Sequence, residues 1–314
     1  MPFLTKTATI SDQVKRRAIG AYLGLAVGDA LGATVEFLTP REIQAEYREH
    51  REILGGGWLH LKKGQITDDT EMSLALGRSI LEQGQVDAAA AAEAFSEWMR
   101  SKPVDIGNTV RRGIAHYRLH GALTVAQNDY DAGNGACMRC LPIALVTLGA
   151  SDEQIAAANH AQAHVTHNNP LSDIGTFCVI RMVQVGLSGG TKAELKQLAD
   201  ALVAADKRFA YDRKRVENPS AYIVDTLRAV LQALFATDSF ESALIDVVNR
   251  GGDADTTGAI LGMIAGALYG VSAIPSRWVK HLDHKIRQTC IDQASGLLER
   301  SPFFALKSSN ESLL

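Results

Sequence analysis

"GAYLGLAVGDALG", from Gly20 to Gly32, and "GAILGMIAGALYG", from Gly258 to Gly270, each carry glycine at every fourth position. That spacing sets Gly20, Gly24, Gly28 and Gly32 along one slowly drifting stripe of a helix, and Gly258, Gly262, Gly266 and Gly270 along another. A helical glycine costs up to about 1 kcal/mol relative to alanine. Eight of them therefore predict a compensating contact: two central helices packed by close backbone approach. In a membrane such spacing suggests helix dimerisation. Here Asp29 interrupts the first run, and neither run reaches the roughly eighteen apolar residues that a span needs.

The surrounding chain reads the same way. "DAAAAAEAFSEWMR" (Asp87 to Arg100), "SDEQIAAANHAQAH" (Ser151 to His164) and "TKAELKQLADALVAADKRF" (Thr191 to Phe209) repeat apolar residues at three and four, and "SAYIVDTLRAVLQALFAT" and "SFESALIDVVNR" continue the pattern. Almost nothing alternates with period two. The expectation is an all-α protein of about ten or more helices. With no low-complexity linker and no short-period repeat, one domain is expected over residues 1–314, its core over about 18–300.

The 314 residues are 46% hydrophobic, enough for a sizeable core. A formal net charge of −3 argues against nucleic acid as the main partner. The one dense basic run, Lys207, Arg208, Arg213, Lys214 and Arg215, reads as a solvated face, with docking to an acidic partner as the sharper alternative. Four cysteines do not make a disulfide framework in a chain this long. "MPFLTKTATISDQVKRR" lacks an apolar segment of signal-peptide length, so the expected location is cytoplasmic, with reduced thiols. Cys137 and Cys140 form a CxxC without two further zinc ligands at matching spacing, and two buried thiols on one helix face are expected.

Two acidic clusters precede apolar helical stretches. One is Thr67, Asp68, Asp69, Thr70 and Glu71; the other is Asp253, Asp255, Thr256 and Thr257 in "NRGGDADTTGA". Helix capping accounts for either alone, since Thr67 or Asp253 can accept an orphan backbone N–H and carboxylates complement the helix dipole. But capping needs only one or two such residues, and here the helices that follow are nearly apolar, which puts both clusters at the mouth of the core. Glu36 adds a carboxylate just after the first stripe. Buried together, these groups would repel unless a cation neutralised them. Asp and Thr oxygens without Cys or His suit a hard ion such as Mg²⁺ or Mn²⁺, and two clusters can hold two ions about 4 Å apart. An EF-hand does not fit, because its twelfth position is Ile264.

"GAYLGLAVGDALGATVEF", "GGGW", "ITDDTEMSLALGRS", "VDIGNTVRRGI", "DAGNGACMRCLP", "THNNPLSD", "SAYIVDT" and "NRGGDADTTGA", in this order from about Ala18 to Trp278, resemble the ADP-ribosylglycohydrolase family, most of all its dinitrogenase reductase-activating branch. The resemblance implies an all-helical fold with two Mn²⁺ or Mg²⁺ ions in a cleft. It implies Thr67, Asp68 and Asp69 as ligands from one side and Asp253, Asp255 and Thr256 from the other, with Glu36 at the metal or its water. Thr257 is expected to begin the helix. The implied reaction is hydrolysis of the N-glycosidic bond between ribose C1 and an arginine guanidinium, through an oxocarbenium-like transition state.

The resemblance also places Asp105 near the reacting ribose, where the residues alone suggest a cap or turn after Pro103. Asn108 would bind a ribose hydroxyl or cap the helix after it. Gly133, Asn134 and Gly135 would line the ADP-ribose site, their backbone N–H groups cradling a diphosphate; Arg139 would pair with phosphate or brace the core. His167, ahead of Asn168, Asn169 and Pro170, would lie in the cleft, and Tyr222 would stack adenine or belong to the core. His160 and His164 share a helix face without the glutamate of HExxH, and read as ordinary helix residues. The implied partners are ADP-ribosylated dinitrogenase reductase and a PII-type signalling protein able to carry the enzyme to the inner membrane. Other readings are hydrolysis of ADP-ribosyl-serine or O-acetyl-ADP-ribose, and an ADP-ribose-binding relative without catalysis; retention of both clusters, Glu36 and Asp105 disfavours the last.

Overall fold

The two glycine stripes face each other. In the computed structural model, which describes residues 10–304, helix α1 (Ile10–Gly32) lies antiparallel against helix α12 (Ala254–Tyr269). A methyl group on Gly24 would lie 2.2 Å from the Gly262 carbonyl oxygen, and one on Gly28 would lie 2.0 Å from that of Gly258. Gly20 meets Gly266 in the same way, and Gly32 meets Ala254. The backbones touch, so only glycine fits. Gly270 departs from the stripe: at φ 79° it caps the end of α12, and a methyl group on it would meet only the Arg17 side chain, at 3.9 Å. Gly28→Ala should cost about 3 kcal/mol through overpacking, read as a lower denaturant midpoint at unchanged m-value; wild-type stability would refute the contact.

Twelve further α-helices surround this pair among the described residues. They are α2 (Pro40–Tyr47), α3 (Asp68–Gln83), α4 (Ala88–Arg100), α5 (Asn108–His120), α6 (Leu141–Val146), α7 (Asp152–Ala163), α8 (Pro170–Leu187), α9 (Lys192–Ala205), α10 (Ile223–Ala236), α11 (Phe240–Val248), α13 (Ser276–His281) and α14 (His284–Glu299). No strand occurs among the described residues, only two isolated bridges, Gly56 with Leu61 and Gly133 with Tyr222. The fold is all-α. Helices α8, α10 and α11 pack on α12, α14 packs on α1, and α4 covers α3.

The helices expected from periodicity start where their caps sit. Asp87, Ser151, Thr191 and Ser239 each accept the backbone N–H three residues on, at the starts of α4, α7, α9 and α11. The segment Thr191 to Phe209 is not one helix: α9 stops at Ala205, and Asp206 caps a separate 3₁₀ turn over Lys207–Phe209. Cys137 and Cys140 are free and buried, but they lie in turns ahead of α6, not on a helix face. In the basic run, Arg208 and Arg215 are exposed and pair locally with Asp206 and Asp246, as a solvated face does. No helix among the described residues is long and apolar enough to cross a membrane. Residues 1–9, most of the stretch read above for a signal peptide, lie outside the described residues, as do 305–314.

Candidate active site

The antiparallel pairing has a direct consequence. It lays the carboxyl end of α1, with Asp29 and the following Glu36, beside the amino end of α12, with Asp253 and Asp255. Gly251 and Gly252, at φ 70° and 63°, make the tight entry into α12. That left-handed geometry favours glycine, and a side chain on Gly251 would strike the Leu38 carbonyl. Glu36, Asp253 and Asp255 each bring a carboxylate oxygen within 4.8 Å of the others.

Helix α3 enters from a third direction. Its amino end is held by Asp29, which is fully buried and accepts from Thr67 N (3.0 Å), Thr67 Oγ1 (3.0 Å), Thr70 N (3.2 Å) and Thr70 Oγ1 (2.5 Å). Asp29 thus caps α3 from α1. Thr67 and Asp253 occupy the N-cap positions of α3 and α12, yet neither side chain makes a cap hydrogen bond, so local capping does not account for the clusters. Instead the clusters meet. Thr67 Oγ1 lies 3.4 Å from Asp255 Oδ2, and Thr256 Oγ1 lies 3.3 Å from Asp69 Oδ2. Two helix N-termini, with their partial positive charge, flank the carboxylates.

Burial dominates the electrostatics. It pushes Glu36 and Asp68 up to about 8, Asp29 up to about 6, and Asp69 and Asp255 well above the usual carboxylate range, with neighbouring carboxylates adding to most of these shifts. Asp253 is raised for the same first reason, although Asn134 Nδ2 donates to it at 2.5 Å. Trp58 Nε1 donates to Glu36 Oε2 at 2.6 Å. Asp69 Oδ1 is buried without a hydrogen-bond partner. Hard oxygen donors, crowded carboxylates and an orphaned oxygen coincide here, a donor set that fits a divalent cation.

A cavity of about 760 Å³ opens over this cluster. Glu36, Asp68, Asp105, Asn108, Gly133, Asn134, Gly135, His167, Asp253, Asp255 and Thr256 all line it. Thr67 and Asp69 lie buried beneath. Asp105 is half-buried in the loop before α5; one oxygen accepts from Ile106 N (2.7 Å), and burial raises its pKa. Gly107 is the N-cap of α5, so Asn108 is the first helical residue and not a cap.

Gly133 and Gly135 make a slot for the His167 ring: a Cβ on either would come within 3 Å of it. The ring is buried, its Nδ1 is 2.8 Å from Thr166 Oγ1, and burial, helped by Arg139 and Arg112, lowers it to about 3, so it is neutral. Arg139 turns away from the cavity. It bonds Gln162 and Thr166, lies over the Phe95 ring, and braces the core. Tyr222 does not line the cavity; it precedes α10, packs against the core, and its backbone bridges Gly133. Thr257, inside α12, donates to the Asp253 carbonyl.

Three contributors escaped sequence reading. Asp29 looked like a mere interruption of a glycine stripe, although a lone charge in an apolar helix was a signal. Trp58 and Arg111, the latter the only cation in the cavity wall among the described residues, stand in the quoted "GGGW" and "VDIGNTVRRGI", but nothing local gives either a role.

The ADP-ribosylglycohydrolase family profile matches residues 10–306. The chain belongs to the ADP-ribosylglycohydrolase family. Among family members, the chain is 52% identical over 285 residues to ADP-ribosyl-[dinitrogen reductase] glycohydrolase of Rhodospirillum rubrum, covering 91% of this chain and 96% of that one. It is 35% identical to ADP-ribosylarginine hydrolase Tri1 of Pseudomonas putida (strain GB-1), across 90% and 80% of the two chains. A solved family structure, an ADP-ribosylglycohydrolase-related protein complex, superposes with a TM-score of 0.81 at 33% identity, over 92% of this chain and 99% of that one.

Proposed function

We propose that this chain, as one ADP-ribosylglycohydrolase domain, hydrolyses the N-glycosidic bond of ADP-ribosyl-arginine on dinitrogenase reductase and so restores nitrogenase activity. The observation that carries this reading is 52% identity across nearly the whole of a relative with that named substrate, together with an acidic cluster at the floor of a cleft. Two Mn²⁺ or Mg²⁺ ions would be held by Thr67, Asp68 and Asp69 on one side and Asp253, Asp255 and Thr256 on the other. Bound there, they would supply the positive charge that offsets the buried carboxylates and polarises the sugar.

The chain's own residues do the rest. Trp58 fixes the Glu36 carboxylate by its indole N–H, and Asn134 fixes Asp253. Asp105, with one oxygen taken by Ile106 N, presents the other to the ribose and serves as base or as the group that shapes the ring. Neutral His167 and Asn108 offer hydrogen bonds without adding charge beside a developing oxocarbenium centre. Gly133 and Gly135 hold the histidine in place and let the backbone approach a diphosphate. Arg111 is the cation on that wall. The reading also includes a PII-type regulator that recruits the enzyme from the cytoplasm to the inner membrane. A pull-down from nitrogen-fixing cells should recover the regulator.

The test is release of ADP-ribose from arginine-linked and serine-linked peptides in parallel, with Mn²⁺ present. Arginine-linked substrate should be preferred about 10²-fold or more, since discrimination rests on contacts to the leaving group. Equal rates, or faster release from serine, would overturn the assignment.

A further inference from the structure

Away from the cleft, α7 and α8 bring together three side chains of a different chemistry. His160 and His164 stand one turn apart at the end of α7, their rings stacked with centroids 4.6 Å apart and 16° between planes. Asp173, in the first turn of α8, faces both. His164 Nε2 lies 3.1 Å from each Asp173 oxygen, and His160 Nε2 lies 3.8 Å from Oδ2. All three ligand atoms fall within 4.8 Å of one another.

Zinc takes imidazole nitrogen at about 2.0–2.1 Å and carboxylate oxygen at about 2.0–2.2 Å, which in a tetrahedron places ligand atoms about 3.3 Å apart. The measured separations bracket that value, so small side-chain rotations close the set. Two imidazoles select a borderline transition ion over the hard ions suited to the cleft. His160, half exposed, gives access from solvent, while His164 and Asp173 are mostly covered and pre-placed. A hydrogen bond between His164 and Asp173 would by itself pin the two helices, and it leaves the stacked His160 without a purpose. A cavity of about 540 Å³ between α7, α8 and α9 borders His160 and Asp173, leaving room for a water as fourth ligand.

The geometry points to a Zn²⁺-class site formed by His160, His164 and Asp173. An ion there ties the last turn of α7 to the first turn of α8, across the turn that carries Thr166 and His167 into the cleft.

The experiment titrates Zn²⁺ into the full-length protein held in excess Mg²⁺, with a chromogenic indicator as competitor. Wild type should take up one Zn²⁺ that His160→Ala binds more than about tenfold more weakly, because even an outer-shell partner is worth 10–100-fold in affinity. Asp173→Asn should weaken it similarly. Zn²⁺ should raise Tm in wild type and not in His160→Ala, whose exposed position leaves the fold intact. In a Co²⁺ titration followed by NMR, the His160 and His164 ring protons should shift. Equal Zn²⁺ uptake by wild type and His160→Ala, or Co²⁺ shifts confined to residues of the cleft, would overturn the site.

Discussion

Stripped of divalent ions by EDTA, the protein is expected to lose stability as the pH rises from about 5 to 8. Most pH-dependent proteins gain stability over the lower part of that range, because their carboxylates are better off ionised when folded. Here the sign is reversed. Burial pushes Glu36 from 4.5 up to about 8 and Asp68 from 3.8 up to about 8. Between those limits the folded state keeps a proton that the unfolded chain has released. Each such group then withdraws about 1.4 kcal/mol for every pH unit, and the loss is complete above its folded value. At about 2–4 °C of Tm per kcal/mol, the effect is large. With Mn²⁺ present, an ion in the proposed site would hold the carboxylates ionised, and the slope should vanish or reverse, since protons then compete with the ion. Thermal melts at pH 5, 6, 7 and 8, with EDTA and with Mn²⁺, make the comparison. A flat EDTA series would mean that the cluster is not an uncompensated one.

Asp255→Asn is expected to separate catalysis from folding. The substitution keeps the shape of a side chain that is 1% exposed and replaces an ionisable carboxyl with an amide that cannot ionise. Turnover of ADP-ribosyl-arginine should fall about 10³-fold or more, because a metal's several kcal/mol of transition-state stabilisation converts at 1.36 kcal/mol per decade. In EDTA at pH 8, by contrast, the variant should melt above wild type, since an amide removes the advantage the unfolded chain gains by ionising a carboxyl whose ionisation burial disfavours. Asp68→Asn should behave alike. Near-wild-type turnover, or a lower metal-free Tm, would contradict the role given to these residues.

Much of this architecture was legible in the chain. Apolar residues at three and four, with Asp87, Ser151, Thr191 and Ser239 at the starts, located α4, α7, α9 and α11, because caps and periodicity are local signals. The glycine stripes announced a close helix pair, because an uncompensated glycine helix is too costly. The convergence of Thr67–Asp69 with Asp253–Thr256 was readable as well, but only by setting two local excesses of carboxylate side by side.

What escaped depends on partners distant in sequence. Asp29 and Thr67 are 38 residues apart, and nothing near Asp29 shows that it caps another helix. Gly133 and Gly135 read as a phosphate turn, yet their missing side chains accommodate the ring of His167. Arg139 offered two roles of equal local plausibility, and only Gln162 and Thr166 decide between them. His160 and His164 read as ordinary because Asp173 belongs to the next helix.

The contact between α1 and α12 also bears on how the cleft can move. With carbonyls seated against α-carbons there is no side-chain layer to shear, and sliding by one residue would drive side chains into backbone oxygens of the opposing helix. The floor therefore resists shear. Any opening that admits a bulky protein substrate must come from the walls: the Trp58 segment, the loop before α5, and residues 218–221. Engineering that aims to change which conjugate enters should target those walls and leave the floor alone.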